Sequence, residues 1–393
     1  MTEPTLRVRL LEEARAGSRP DQFAPGLTGL RALAALGVFA FHVFAIGGPR
    51  PLVVRIGGFE FSWQILVSGG WVGAIIFFVL SAFLLSLPFV AAPGPGAPGS
   101  TKRFLLRRVK RVVPAYWVQL AILVPVLLVS GTVPPPGVVA AHLAFLQNAD
   151  PAWQGAINAV YWTLPTEFGF YLLLPLFAWL AVRIAARHDR GWLTVCAVLI
   201  AAAIAFRYLC YHAMAERPVL ERIFWVQQLP GMLDVFAFGM LAAWVFVRVP
   251  VPEARRAPLS NALVAAGLVG IVVMLLAVGR VFDTYWSGNP LMFFWYSLVS
   301  FFIACLIFGT ALGGPLARVL FANRIALFLG IVSYSLYLWH FPITQWTARF
   351  LDRWGVAGDR MGWLIAIAVP ATIVASALSY WFVERRFLRK RGP

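Results

Sequence analysis

Apolar residues recur along this chain in ten runs of spanning length. They lie near 27–48, 71–90, 112–130, 161–182, 192–212, 229–248, 260–279, 291–312, 326–349 and 361–383. A helix of about 20 apolar residues crosses a hydrocarbon core of ~30 Å, so the pattern predicts an all-α, polytopic membrane protein of about ten transmembrane helices. The segment 91–100, AAPGPGAPGS, is a Pro/Gly connector with no helical propensity. The longest external loop runs from 131 to 160. Its start, Pro134-Pro135-Pro136, and the apolar stretch 138–146 predict a short helix lying on or dipping into the membrane. No hydrophilic stretch is long enough for a separate soluble domain. The expected organisation is a tail over 1–26, one membrane domain over 27–384 and a basic tail over 385–393. No internal repeat is visible, which disfavours an inverted-repeat transporter.

Composition agrees, with 61% hydrophobic and 12% charged residues. The first 26 residues are polar and basic, so no removable signal peptide is expected. Cys196, Cys210 and Cys305 fall in apolar segments without metal-ligand spacing and read as packing residues. The net charge of +17 raises the question of nucleic acid, and its distribution answers it. With ten crossings, the termini and the loops after helices two, four, six and eight carry about 23 Lys and Arg, and the alternate loops about nine. Both termini are therefore expected to be cytoplasmic. The charge is topological and lipid-facing, and no nucleic-acid partner is expected.

Ionisable residues inside the apolar runs carry the candidate chemistry, because such groups are costly in a bilayer and face a protein interior or a water-filled cavity. Arg31 and His42 are eleven residues apart, a rise of about 16 Å and three turns plus roughly 20°, so they share nearly one helix face. Counting from the cytoplasmic side places Arg31 about 6 Å deep and His42 about 22 Å. Glu167 and Asp234 come out at about 21–22 Å and His340 at about 21 Å, so four helices supply ionisable groups to one layer in the outer half of the membrane. The plainer readings are a snorkelling Arg31 and a His42 bonded to a neighbouring helix. An imidazole at that depth can also take a proton from a hydroxyl that attacks an acyl carbon.

Arg108 and Arg111 lie one turn apart in the basic run KRFLLRRVKRVVPAYW, where Pro114 is expected at the start of the third helix. By itself the run reads as a lipid-binding cytoplasmic cluster. The functional alternative is a guanidinium fork on a polyphosphate, with Arg107 and Lys110 adding charge. Tyr116 and Trp117 suit the interface belt or a stacked adenine. Glu167 and Tyr171 share a face, and Glu167 could orient the His42 imidazole or bind acceptor hydroxyls. Ser333, Tyr337, His340 and Thr344 form a polar stripe, equally readable as interhelical glue. Glu384 is expected to pair with a nearby Arg and is given no further role.

Together these stretches resemble the acyltransferase-3 family of integral membrane acyltransferases, which modify bacterial surface polysaccharides, lipopolysaccharide, lipochitin oligosaccharides and macrolides. Arg31 and His42 match its R-x10-H. FFVLSAF matches FFxxSGF, with Ser81 kept and Ala82 in place of Gly. Arg108, Arg111 and VVPAYW match R-x-x-R followed by I-x-P-x-Y-W. Trp162-Thr163-Leu164, Glu167, Gly169-Phe170 and Pro175 follow W-S-L-x-x-E with G-F-x4-P, and SYSLYLWHFPI follows S-Y-x-x-Y-L-x-H-x-P. The chain departs at Glu384-Arg385-Arg386, where the family has E-x-P. No SGNH-type hydrolase domain is fused, so the stand-alone form is expected.

The resemblance implies a multi-pass protein of the bacterial cytoplasmic membrane that transfers an acyl group, acetyl or short-branched, from cytoplasmic acyl-CoA to a hydroxyl of a carbohydrate or glycosylated acceptor. No permanently bound cofactor and no metal are expected. His42 would act as general base or transient nucleophile, with Arg31 and Glu167 beside it. Arg107, Arg108, Arg111, Ser81, Tyr116 and Trp117 would bind the donor. His340, Tyr337, Tyr171 and Asp234 would line the acceptor side or complete the polar layer. The alternative class is a proton-coupled transporter or flippase of a glycolipid or small solute.

Overall fold

The computed structural model describes residues 24–48, 53–56, 59–62, 64–91, 101–188, 190–356 and 358–388. The expected tails up to residue 23 and from 389 onward, and the connector from 92 to 100, lie outside the described residues. The principal helices are α1 (Pro25–Gly47), α2 (Val72–Ala91), α3 (Thr101–Val129), α4 (Pro136–Leu143), α5 (Thr163–His188), α6 (Gly191–Ala213), α7 (Leu233–Arg248), α8 (Glu253–Arg280), α9 (Leu291–Leu312), α10 (Arg324–Ile331), α11 (Ser333–Arg353) and α12 (Arg360–Ser379). A two-stranded antiparallel hairpin, β1 (Val53–Ile56) with β2 (Phe59–Ser62), is the sheet among the described residues, in the register Val53 opposite Ser62. Nine described helices are long and apolar enough to cross a membrane, ten if the broken pair α10/α11 counts as one. Large apolar side chains such as Trp179, Val198, Leu298 and Val374 are exposed along them, as a lipid-facing surface requires.

The helices depart from the hydropathy pattern most clearly in two places. Helix α3 begins at Thr101 rather than 112, because Lys, Arg and Leu are good helix formers whatever their polarity. Pro114, expected in a first turn, is internal to α3. The ninth apolar run is broken at Val332, where the backbone (φ −87°, ψ 4°) leaves the helix between two β-branched residues and Ser333.

The chain forms two compact units. One gathers the described parts of Met1–Ala32, Ile75–Arg103 and Gly169–Gly330. Lipid-embedded helices lack a hydrophobic drive toward one another and rely on close packing at small residues. Gly267 lets α8 approach α9 so closely that a Cβ would sit 2.6 Å from Leu306 Cβ. Ser260 ties the end of this pair, donating to the Gly309 carbonyl (2.7 Å) and accepting from the Gly314 N–H (2.9 Å). Helix α9 stops at Gly313, whose φ of 77° suits a residue without a side chain. Helices α2 and α7 meet at Gly239, where a Cβ would lie 2.3 Å from the Val79 carbonyl oxygen and 2.6 Å from Ala82 Cβ. Gly239 thus provides the room that Ala82 takes up. Gly239→Leu is expected to cost about 1–3 kcal/mol by overpacking, read as a lower thermal midpoint in detergent.

The other unit gathers Leu33–Ala74, Phe104–Phe168 and the described part of Ile331–Pro393. The short loop helix predicted after Pro134 is α4, with Pro136 at its first position. The last carbonyls of a helix have no intrahelical partner. Two of them are taken up from α3, by the Tyr116 hydroxyl on His142 (2.9 Å) and the Trp117 indole on Leu143 (3.2 Å). Tyr116 lies about 20 Å before the end of α3, so α4 packs beside the middle of α3 rather than beyond its end. At the start of α11, the Tyr334 hydroxyl donates to the Val112 carbonyl (2.8 Å).

Candidate active site

Within this second unit the side chains of His42, on α1, and His340, on α11, meet. The His340 Nε2 lies 3.1 Å from His42 Nδ1. His42 Nδ1 is also 2.9 Å from the Val38 carbonyl one turn back, and His340 Nδ1 is 3.1 Å from the Leu336 carbonyl. A carbonyl can only accept, so each Nδ1 carries a hydrogen when the pair is neutral. His340 Nε2 is then a bare acceptor turned toward the His42 Nδ1–H, which is shared between it and Val38. The remaining lone pair belongs to His42 Nε2. His340 is fully buried and His42 half-buried, so the outer ring of the pair is the accessible one.

Aromatic rings surround the pair. Phe41 and Phe341 lie 4.9 and 5.0 Å from the His42 ring, and Phe39 and Tyr337 lie 5.8 and 5.7 Å from the His340 ring. The Tyr337 hydroxyl donates to the Val160 carbonyl (3.0 Å) and lies 2.9 Å from the Thr163 hydroxyl. Glu167 is half-buried on α5, within electrostatic range of Tyr334 and Tyr337. Val38 and His340 orient His42 here, so of the two roles open to Glu167, orienting the imidazole or binding acceptor hydroxyls, the first is already filled. Helical period locates a residue on its own helix but not the residue that faces it.

The basic cluster divides. Arg111 Nη1 is 3.3 Å from Glu384 Oε2, and the buried Glu384 accepts from Ser335 through Oε1 (2.5 Å). Glu384 belongs to a π-helical turn, Tyr380–Glu384. Glu384 thus pairs with an arginine, but with one distant in the chain rather than a near neighbour in sequence, and the pair engages the second arginine of the R-x-x-R. Arg108, by contrast, has a buried Nε without a partner among the described residues, a donor that fits an incoming oxyanion. Tyr116 is fully buried, packed on Phe145 and Tyr161 with ring centroids 4.8 Å away in each case. Buried as it is, the Tyr116 ring has no face open for a stacked adenine, whereas Trp117 is exposed and bonds α4 only through its indole N–H, in keeping with an interface position.

Four named residues lie in the first unit. Arg31 is half-buried on α1, Ser81 half-buried on α2, and Tyr171 buried on α5. Asp234 has a complete set of partners of its own. Arg207 Nη1 and Nη2 donate to Oδ1 and Oδ2 at 3.0 and 2.7 Å, and Ser297 donates to Oδ2 at 2.5 Å. Arg207 also donates to the Gly231 carbonyl (2.6 Å) and the Phe293 carbonyl (2.8 Å). The ion pair, wholly buried, ties α6, α7 and α9, so Asp234 leaves the polar layer and becomes a brace. The signal for Arg207 was visible in AAAIAFRYLC, an arginine inside an apolar run. Also missed was His142 of α4, fully buried with Nδ1 on the Val138 carbonyl (2.8 Å) and Nε2 without a partner among the described residues. Burial pushes this imidazole below its usual range, which keeps it neutral.

Comparison with known proteins supplies the family. The profile of the acyltransferase domain matches residues 25–381. A provisionally named O-acetyltransferase of Staphylococcus aureus (strain COL) is 24% identical over 94% of this chain and 58% of its own. The peptidoglycan O-acetyltransferase OatA of Listeria monocytogenes is 24% identical over 94% of this chain and 56% of its own. YrhL of Bacillus subtilis, provisionally named a peptidoglycan O-acetyltransferase, is 24% identical over 93% of this chain and 55% of its own. The chain thus spans just over half the length of the curated relatives it matches. No solved structure matches it. With the R-x10-H helix, the facing histidine and nearly every described residue inside the matched region, the chain belongs to the acyltransferase-3 family of multi-pass bacterial membrane proteins.

Proposed function

We propose that this protein is a membrane O-acyltransferase that moves an acetyl or short acyl group from cytoplasmic acyl-CoA to a hydroxyl of a cell-wall sugar or glycosylated acceptor. The observation that carries this reading is the hydrogen-bonded pair His42–His340, which fixes the tautomer of His42 and leaves its Nε2 lone pair free. In the transfer step the acceptor hydroxyl gives its proton to His42 Nε2 as its oxygen bonds to the thioester carbonyl carbon. The carbon–sulfur bond then breaks, and the leaving thiolate takes the proton back. The imidazolium formed in between keeps its Nδ1–H on Val38 and His340, two acceptors already in place. This is the part that a carboxylate plays in a hydrolase triad.

Donor binding is assigned to Arg108 and Arg107 at the cytoplasmic end of α3, with both termini on that side as the loop charges require. Arg111 contributes once its carboxylate partner is displaced or shared. Peptidoglycan is the acceptor that the names of the relatives favour. Acetyl-labelled acetyl-CoA added to the protein in native membrane vesicles tests the reading. The expected result is release of free thiol with label entering a saccharide or lipid-linked product. A thioester left intact, with label or glycolipid merely translocated, would overturn it in favour of a transporter.

A further inference from the structure

The helix that carries His340 contains Pro342. Proline has no N–H, so the carbonyl four residues earlier loses its intrahelical donor. That carbonyl belongs to Leu338, between Tyr337 and His340. A buried carbonyl without a partner costs about 1–3 kcal/mol, and in lipid no water is at hand to supply one. Two amides from other parts of the same unit fill the gap. Gln119, on α3, donates from Nε2 at 2.6 Å, and Asn158, at the end of the α4 loop, donates from Nδ2 at 3.2 Å. Both side chains are buried.

The orientation of each amide is itself fixed. The Tyr161 hydroxyl donates to Gln119 Oε1 at 2.7 Å, which turns the NH2 group toward Leu338. The Val160 N–H donates to Asn158 Oδ1 at 3.3 Å, which does the same for Asn158. The arrangement holds one backbone atom from two directions, two residues before the imidazole that faces His42. A displacement of about 1 Å at a catalytic group can cost a hundredfold in rate.

We infer that Gln119 and Asn158 are positioning residues, which hold His340 against His42 by gripping the Leu338 carbonyl that Pro342 leaves open. This rests on the transfer reading above. Gln119→Leu keeps the volume and removes the donor; Asn158→Leu does the same on the weaker side. Thiol release from acetyl-CoA is measured in native membrane vesicles, per folded protein, with His42→Ala alongside. The expected result is a fall in kcat of roughly 10- to 100-fold for Gln119→Leu and a smaller fall for Asn158→Leu, with KM for acetyl-CoA unchanged. A role confined to stability would lower the melting temperature and leave kcat per folded protein intact, and that outcome overturns the inference. If Gln119→Leu does not fold, Asn158→Leu decides by the same criterion. Loss of transfer in His42→Ala with full kcat in both leucine variants overturns this inference alone. Full transfer in His42→Ala overturns the reading beneath it.

Discussion

His42→Ala is expected to lower acyl transfer by about 10²- to 10⁴-fold, the range that a positioned general base supplies. The imidazole has one unoccupied nitrogen and is half-buried, whereas the other imidazole with an unpartnered nitrogen among the described residues of the unit, His142, is fully buried. His340 Nε2 is turned to His42 and wholly buried, so it cannot reach an acceptor directly. Glu167 is half-buried but is not hydrogen-bonded to the pair in the structure, so it offers no ready substitute. The fold should survive, since the ring of His42 is held by contacts to its own helix and to phenylalanines rather than by a buried ion pair. His340→Ala removes the acceptor for the His42 Nδ1–H but leaves the Val38 carbonyl, so a smaller loss is expected. The order His42→Ala below His340→Ala below the parent, in thiol release per folded protein, is the signature. Equal turnover in His42→Ala and the parent would remove His42 from the chemistry.

The two histidines show where reading along the chain succeeds. Each was visible as an ionisable group in an apolar run, and hydropathy located nearly all the helices, because a spanning helix must be apolar over a length that the bilayer dictates. Counting residues also put His42 and His340 at one level, although α11 starts at Ser333 and the count for His340 ran through the break at Val332. Their contact, not the count, establishes the level. The break was hidden because Ile331, Val332 and Ser333 are apolar or small and leave no mark on a hydropathy trace.

What the chain could not show was who faces whom. Asp234 enters the polar layer on depth alone, and depth carries no information about azimuth. Tyr116 and Trp117 sat beside a basic run, and their neighbours in sequence suggested phosphates. Their true neighbours are the carbonyls of a loop helix 26 residues further on. Gln119 drew no attention, since a lone amide in an apolar run is common interhelical glue. Its meaning depends on Pro342, more than 200 residues away, and on the carbonyl that this proline sets free.

Asp234 gives the largest stability effect expected from a single substitution. Asp234→Ala leaves the Arg207 guanidinium without its carboxylate in a site with no exposure to solvent. Removing one partner of a buried ion pair typically costs about 3–5 kcal/mol, because the desolvation penalty of the remaining charge is no longer offset. Arg207 cannot snorkel out of the difficulty, since its Nε and Nη2 are fixed on the Phe293 carbonyl and its Nη1 on the Gly231 carbonyl. Asp234→Asn keeps an acceptor oxygen and should cost less. Replacing both residues together, with Arg207→Met and Asp234→Leu, should recover much of the loss, as a buried pair exchanged for apolar packing is often neutral or stabilising. Thermal midpoints in detergent for the four proteins test this. The alternative assigns Asp234 to the chemistry. It predicts that Asp234→Ala keeps its folded fraction and loses turnover, and that the double apolar variant is as inactive as the single. A brace predicts that the double variant regains both stability and transfer, since what α6, α7 and α9 need from this site is a filled and neutral interior rather than a charge.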